Sequence, residues 1–189
     1  MEASDKMKPI HWLATAVGVA LMTAGLTVAR ADGGPLDGRL TGPDVAPAAD
    51  PLYLEECGAC HFAYPPGLLP ARSWERVMTG LKDHFGDNAE LPLDTAARLR
   101  AYLTENAADA AGDRRGAWLL RGLKGRDAPM RITELPAIRG EHRELPVRLV
   151  ADNKDVGSLS RCEACHTRAA KGYYNDHDVR IPGYGRWDD

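Results

Sequence analysis

Cys57-Gly58-Ala59-Cys60-His61 decides how this chain is read, and the pattern returns as Cys162-Glu163-Ala164-Cys165-His166. Two cysteines separated by two residues, with histidine next, have the spacing for covalent attachment of a c-type haem. The two thiols reach neighbouring vinyl groups of one porphyrin, and the histidine presents a ring nitrogen to the iron from the same side. All 4 cysteines fall in these two pentapeptides. A redox dithiol, a structural disulfide or half of a zinc site also uses Cys-x-x-Cys, but none of them requires histidine directly after the second cysteine. Two covalently attached haem c groups are therefore expected. Cys57 and Cys60 would hold one and Cys162 and Cys165 the other, with His61 and His166 as proximal iron ligands.

Composition limits the rest. In 189 residues the two motifs lie about a hundred apart, which favours one haem in each half. Aromatic residues make up only 6% and alanine supplies much of the apolar content, so side chains alone would build a thin core. Two porphyrins would supply the missing apolar surface, and the haem-free polypeptide is expected to fold poorly. A net charge of -3 gives no reason to expect nucleic-acid binding.

The first segment reads as an address. Lys6 and Lys8 precede a mostly apolar run over 10–28, and Ala29-Arg30-Ala31 has the small-x-small form that a signal peptidase cuts. An uncut membrane anchor is the alternative, since the run is at the short edge of what spans a bilayer. Either way the functional part is exported, and a periplasmic location is expected. Residues 32–50, rich in glycine, proline and alanine, read as a flexible leader without chemistry.

From Pro51 the pattern becomes helical. Pro51-Leu52-Tyr53-Leu54-Glu55-Glu56 runs into the first motif, with proline suited to a first turn and acidic side chains near the positive end. A second helix is expected after Ser73 as N-cap, since Trp74, Val77, Met78, Leu81 and Phe85 recur at three- and four-residue steps. A third begins after Asp94, carries Leu99, Tyr102 and Leu103 on one side, and fades near Asp109. This order resembles the small helical fold of monohaem cytochromes c over about sixty residues. That family usually ligates the far side of the iron with a loop methionine, and no such loop is evident inside this segment. His84, expected on the middle helix, is the preferred distal ligand. Met78, one turn earlier, and Met130, in Ala128-Pro129-Met130, are the alternatives.

Glycines at 112, 116, 122 and 125 break the join that follows, although Ala117-Trp118-Leu119-Leu120 and Leu123 can make two apolar turns. Arg114, Arg115, Arg121, Lys124, Arg126 and Arg131 concentrate positive charge there, either as a solvated surface or to pair with haem propionates or an acidic partner. Beyond it only 159–171 looks helical, stopped by Gly172. His142 is the preferred distal ligand of the second haem and His177 the alternative. A swapped arrangement, each half ligating the other's haem, stays open. The expected fold is mainly α: a cytochrome c-like helical domain over 51–111, and a C-terminal haem domain over 112–189 with little regular secondary structure.

The wider sequence resembles the bacterial dihaem cytochrome c family. The likeness rests on Glu56 through Pro70 around the first motif, Ser73-Trp74, His84-Phe85-Gly86, Asn88-Ala89, Arg131-Ile132-Thr133, His142-Arg143-Glu144, the second motif and Val179-Arg180-Ile181-Pro182. The resemblance implies a two-domain electron carrier with bis-histidine haems, the distal histidines at His84 and His142. It implies a membrane b-type cytochrome as electron donor and a small soluble high-spin, oxygen-binding cytochrome c as acceptor.

Outer-sphere electron transfer with no substrate and no catalytic residue is the expected activity. Imidazole in place of thioether stabilises ferric iron, so low reduction potentials are expected. The main rival is a dihaem peroxidase or gas-binding cytochrome with one open iron, for which Glu134, Glu141 and Glu144 are the available proton-handling carboxylates. A third reading is a haem subunit of a membrane electron-transfer complex.

Overall fold

The structure is a computed structural model that describes residues 42–110, 112 and 114–187. The expected signal peptide, 1–31, and the first part of the leader lie outside the described residues. Among the described residues no helix is long and apolar enough to cross a membrane.

Helix α1 (Pro51–Glu56) starts where the sequence places it, with proline in its first turn and the Asp50 carboxylate accepting the Tyr53 N–H at 3.0 Å. Asp50 is the acidic group at the positive end, while Glu55 and Glu56 fall in the last turn instead. Helix α2 (Ala71–Thr79) begins three residues earlier than expected, after Pro70. Ser73 is thus not a cap but a fully buried residue of the first turn, its hydroxyl without a partner. The helix stops at Gly80, whose N–H bonds back to the Arg76 and Val77 carbonyls. Of the five-residue apolar stripe, Trp74, Val77 and Met78 are buried on α2; Leu81 and Phe85 lie past its end.

Helix α3 (Leu93–Glu105) buries Leu99 and Leu103 against α2. Tyr53, Leu69, Trp74, Met78 and Ala107 complete the contact, and the Trp74 indole N–H donates to the Pro66 carbonyl at 2.7 Å. This cluster also takes in Leu120, Leu123, Met130, Ile132, Ile138 and the fully buried Leu135 from beyond residue 111. Arg72 and Arg76 fasten that part of the chain to α2 by donating to the Asp127 and Ala128 carbonyls.

The second half contains more helix than its sequence suggests, in short pieces: α4 (Arg114–Leu119), α5 (Pro136–Glu141), α6 (Val147–Val150) and α7 (Cys162–Cys165). The helix expected over 159–171 is reduced to α7 and a 3-10 turn at Ala169–Lys171. It breaks at His166, whose backbone leaves helical geometry (φ -86°, ψ 86°) to pair with Val179. Strands β1 (Arg180–Ile181) and β2 (Gly185–Arg186) form a two-residue antiparallel hairpin. Among the described residues the cluster here has Leu149, Val156 and Ile181 as buried members.

Residues 42–50, read from composition as the end of a flexible leader, are tied down. Asp44 and Val45 donate backbone N–H groups to the Gly172 carbonyl at 2.8 and 3.1 Å. The Asp44 carboxylate accepts the Tyr174 N–H at 2.7 Å and faces Arg115 at 3.8 Å. Composition counts prolines and glycines; it does not show that Asp44 has partners 130 residues away. Gly172 makes this clasp possible, because its φ is +78° and a Cβ there would overlap the Val45 carbonyl oxygen. Gly172→Ala should cost about 2 kcal/mol or more in denaturant unfolding of the intact protein, since a contact is lost as well as backbone freedom. Gly157→Ala, at a φ of +72° with open space around it, should cost only the backbone strain of about 1 kcal/mol.

Candidate haem sites

Each motif closes a helix. In the first, the Cys57 N–H caps α1 on the Tyr53 carbonyl, and Cys57 packs against the first cluster while Cys60 and His61 face outward. In the second, α7 spans Cys162–Cys165 and the His166 N–H bonds the Cys162 carbonyl at 2.8 Å. None of the four cysteines is in a disulfide. Burial pushes the Cys57 and Cys162 thiols up to about 11 and raises Cys165 as well, with nearby glutamates adding to the effect. Among the described residues no three His, Cys, Asp or Glu side chains converge to hold a metal ion.

Facing each motif histidine is one other imidazole. The rings of His61 and His84 lie 6.1 Å apart between centroids with their planes at 21°. The rings of His166 and His142 are also 6.1 Å apart, at 70°. Two metal–imidazole bonds of about 2.0 Å, each extended by roughly 1.1 Å from ring nitrogen to ring centre, span about 6.2 Å. The gap in both places is therefore that of one metal ion between two imidazoles. Both pairings lie within a half, not swapped between halves.

His84 reaches its place by a turn, not on the helix where the sequence puts it. After α2 stops, a 3-10 turn (Leu81–Asp83) leads into His84-Phe85-Gly86-Asp87. There His84 and Asp87 exchange backbone hydrogen bonds at 2.7 and 3.3 Å. Phe85 and Gly86 both have positive φ, 57° and 103°, the geometry of a tight two-residue hairpin turn. The Asp83 carboxylate braces the turn by accepting the Gly86 N–H at 3.1 Å, and the Arg131 guanidinium lies 4.0 Å from the centre of the Phe85 ring. His142 is placed differently, as the C-cap of α5, with Pro136 opening that helix and Leu135 anchoring it in the core.

The protonation chemistry suits metal ligation. His61 Nδ1 lies 2.8 Å from the Phe62 carbonyl and His142 Nδ1 2.8 Å from the Ile138 carbonyl. Donating there fixes the tautomer and leaves the other ring nitrogen with its lone pair. Burial, reinforced by His142 opposite, lowers His166 to about 4. Burial and then His61 lower His84 too. These imidazoles are thus kept neutral, the form that binds a metal. His166 Nδ1 is buried without a hydrogen-bond partner, a costly state for a polar atom unless the ring is satisfied by something else in the site. The residues present fit two haems.

The other candidates are placed elsewhere. Met78 is a buried core residue, and Met130 packs against the same cluster. His177 is exposed in a 3-10 turn (Asp176–Asp178). Glu134, Glu141 and Glu144 are exposed, and Glu144 pairs with Arg143 at 3.1 Å. Glu141 and Glu144 border an open cleft of about 550 Å³ shared with Arg121 and Arg143. In the basic join, Arg115 faces Asp44, Arg121 lies over Trp118 and Arg131 over Phe85, so these three have partners within the protein. Two residues the sequence did not single out flank the motif histidines: Tyr64 stands 5.4 Å from the His61 ring and Tyr174 5.4 Å from the His166 ring. Their offsets from the motifs differ, so no repeat gives them away.

The dihaem cytochrome c family profile matches residues 53–174. None of the curated proteins compared with the chain matches it. Among solved structures, the diheme cytochrome c from Rhodobacter sphaeroides is 43% identical, with a TM-score of 0.62 over 69% of this chain and 100% of that one. The diheme cytochrome type c from Shewanella baltica OS155 is 40% identical, with a TM-score of 0.60 over 73% of this chain and 97% of the other.

The turn that carries His84 offers a test. Gly86→Val places a branched side chain at a φ of 103°. The turn should lose about 1–2 kcal/mol, read as roughly tenfold faster hydrogen exchange at the His84 N–H with the α2–α3 core still protected.

Proposed function

The chain belongs to the dihaem cytochrome c family and holds two covalently attached haem c groups, and from that premise we propose that it is an outer-sphere electron carrier with bis-histidine ligation at both irons. His61 and His84 ligate one iron, His166 and His142 the other. The observation that carries this is the 6.1 Å gap between facing imidazoles, found at both motifs. Each haem, when bound, supplies an iron that alternates between ferric and ferrous. Cys57 and Cys60, and Cys162 and Cys165, anchor the porphyrins, and the Phe62 and Ile138 carbonyls hold His61 and His142 in the ligating tautomer. Closure on both faces leaves no place for a substrate, so the protein is a carrier and not an enzyme. Imidazole ligation on both faces favours ferric iron and low potentials.

Each motif, with its facing histidine, is one haem module, 51–111 and 112–189. The setting we propose is the periplasm, reached by the N-terminal signal. The proposed donor is a membrane b-type cytochrome and the proposed acceptor a small soluble high-spin cytochrome c. The N-terminal segment motivates the setting, and the resemblance of the sequence motifs to the family motivates the two partners.

The two imidazole pairs differ in orientation, which makes the assignment testable. Near-parallel ligand planes separate the iron orbitals that near-perpendicular planes leave almost degenerate. Electron paramagnetic resonance of the ferric protein should therefore show two low-spin signals, a moderately rhombic one from the 21° pair and a strongly anisotropic one from the 70° pair. His84→Met should remove the first and His142→Met the second. Carbon monoxide should bind the reduced wild-type protein slowly and incompletely. Rapid stoichiometric binding would mean an open iron and reinstate the gas-binding or peroxidase reading, and methionine charge-transfer bands in the wild type would refute the ligand set.

A further inference from the structure

Two irons held in one chain exchange electrons through whatever matter lies between them, and bonded or hydrogen-bonded contact couples them better than an open gap. Tyr64 makes such a connection. Its ring stands 5.4 Å from the His61 imidazole, tilted by 38°. Its hydroxyl donates to the Ser160 carbonyl at 2.6 Å, across 96 residues of sequence. Ser160 lies two residues before Cys162, whose sulfur is 3.7 Å from the same carbonyl oxygen. The side chain thus lies beside the His61 ring at one end and reaches the Cys162 sulfur through the Ser160 carbonyl at the other.

The surroundings hold it there. The Tyr64 carbonyl accepts the Tyr53 hydroxyl at 2.7 Å, and Phe62 packs edge-on against the ring at 5.4 Å. A carbonyl oxygen can only accept, so the 2.6 Å bond to Ser160 needs the phenol proton in place. Tyr174, against the second motif histidine, lies close enough that Tyr64, Cys162 and Glu163 all help raise its phenol above the ordinary range.

We propose that Tyr64 is the positioning and coupling residue for electron exchange between the two haems, linking His61 to the Cys162 attachment through its hydrogen bond to Ser160. One electron leaves ferrous iron at one site and reduces ferric iron at the other. No bond breaks and no proton moves, and the phenol keeps its hydrogen bond to the Ser160 carbonyl throughout. The proposal rests on the bis-histidine carrier reading above.

The test uses the holoprotein, with one electron injected by a pulse of radiolytic reductant and its redistribution between the haems followed by absorption. Tyr64→Phe keeps the ring and removes the hydrogen bond. Redistribution should slow several-fold, with both midpoint potentials and both ferric resonance signals unchanged. Tyr64→Leu, which also removes the ring beside His61, should slow it further. Tyr102→Phe loses the hydrogen bond from the Ala49 N–H, which does not involve Tyr64, and should leave the rate at the wild-type value. An unchanged rate in both Tyr64 variants overturns the proposal. So does equal slowing in Tyr102→Phe, since general loosening would then account for the effect. Failure of the ligand assignment itself would appear separately, as methionine or high-spin signals in the wild-type spectrum.

Discussion

A fixed distance between facing imidazoles is the constraint that organises this protein. A ring that must sit about 6 Å from another cannot be left to a mobile loop, and the chain meets the requirement twice by different means. At the first site a two-residue turn with both central residues at positive φ projects His84 from the end of a helix, braced by Asp83 and by Arg131 over Phe85. At the second, a helix started by Pro136 and anchored by the buried Leu135 carries His142 as its C-cap, and the helix's own Ile138 carbonyl sets the ring. The same ring-to-ring distance results from a strained turn in one case and a capped helix in the other.

The hydrophobic accounting follows the same division. Helices α2 and α3 interlock through Trp74, Val77, Met78, Leu99 and Leu103 and form a cluster of ordinary kind. The second cluster, with three buried members, is small for the chain it must order, and the haem bonded to Cys162 and Cys165 adds apolar surface where side chains are scarce. Contacts across the molecule supply the rest. Leu135 belongs to the first cluster, Arg72 and Arg76 hold the Asp127 and Ala128 carbonyls, and Tyr64 reaches Ser160.

The motifs, the family and the long third helix were legible from residue order because their signals are local: fixed spacing in one case, a three- and four-residue period in the other. The starts and stops of α2 were less so. Ser73 looked like a cap because its type favours that position, but Pro70 ends the preceding turn and the helix begins at once, so Ser73 is drawn inside. The apolar stripe runs on to Phe85 and so draws His84 into the expected helix. Gly80 stops the helix, and a pattern of residue types cannot distinguish a stripe that continues from one whose last members merely lie nearby. Tyr64, Tyr174 and Asp44 act through partners distant in sequence, which periodicity does not encode.

The clasp between Asp44 and the Gly172–Tyr174 backbone joins a point near the beginning of the described chain to one near its end. A polypeptide threaded outward from its amino terminus must therefore hold Asp44 in waiting until nearly everything else has emerged. The last tertiary contacts to form would then belong to one of the first segments delivered. Trimming from the front would release the loop after the second motif while the α2–α3 pair, which shares none of those bonds, kept its packing.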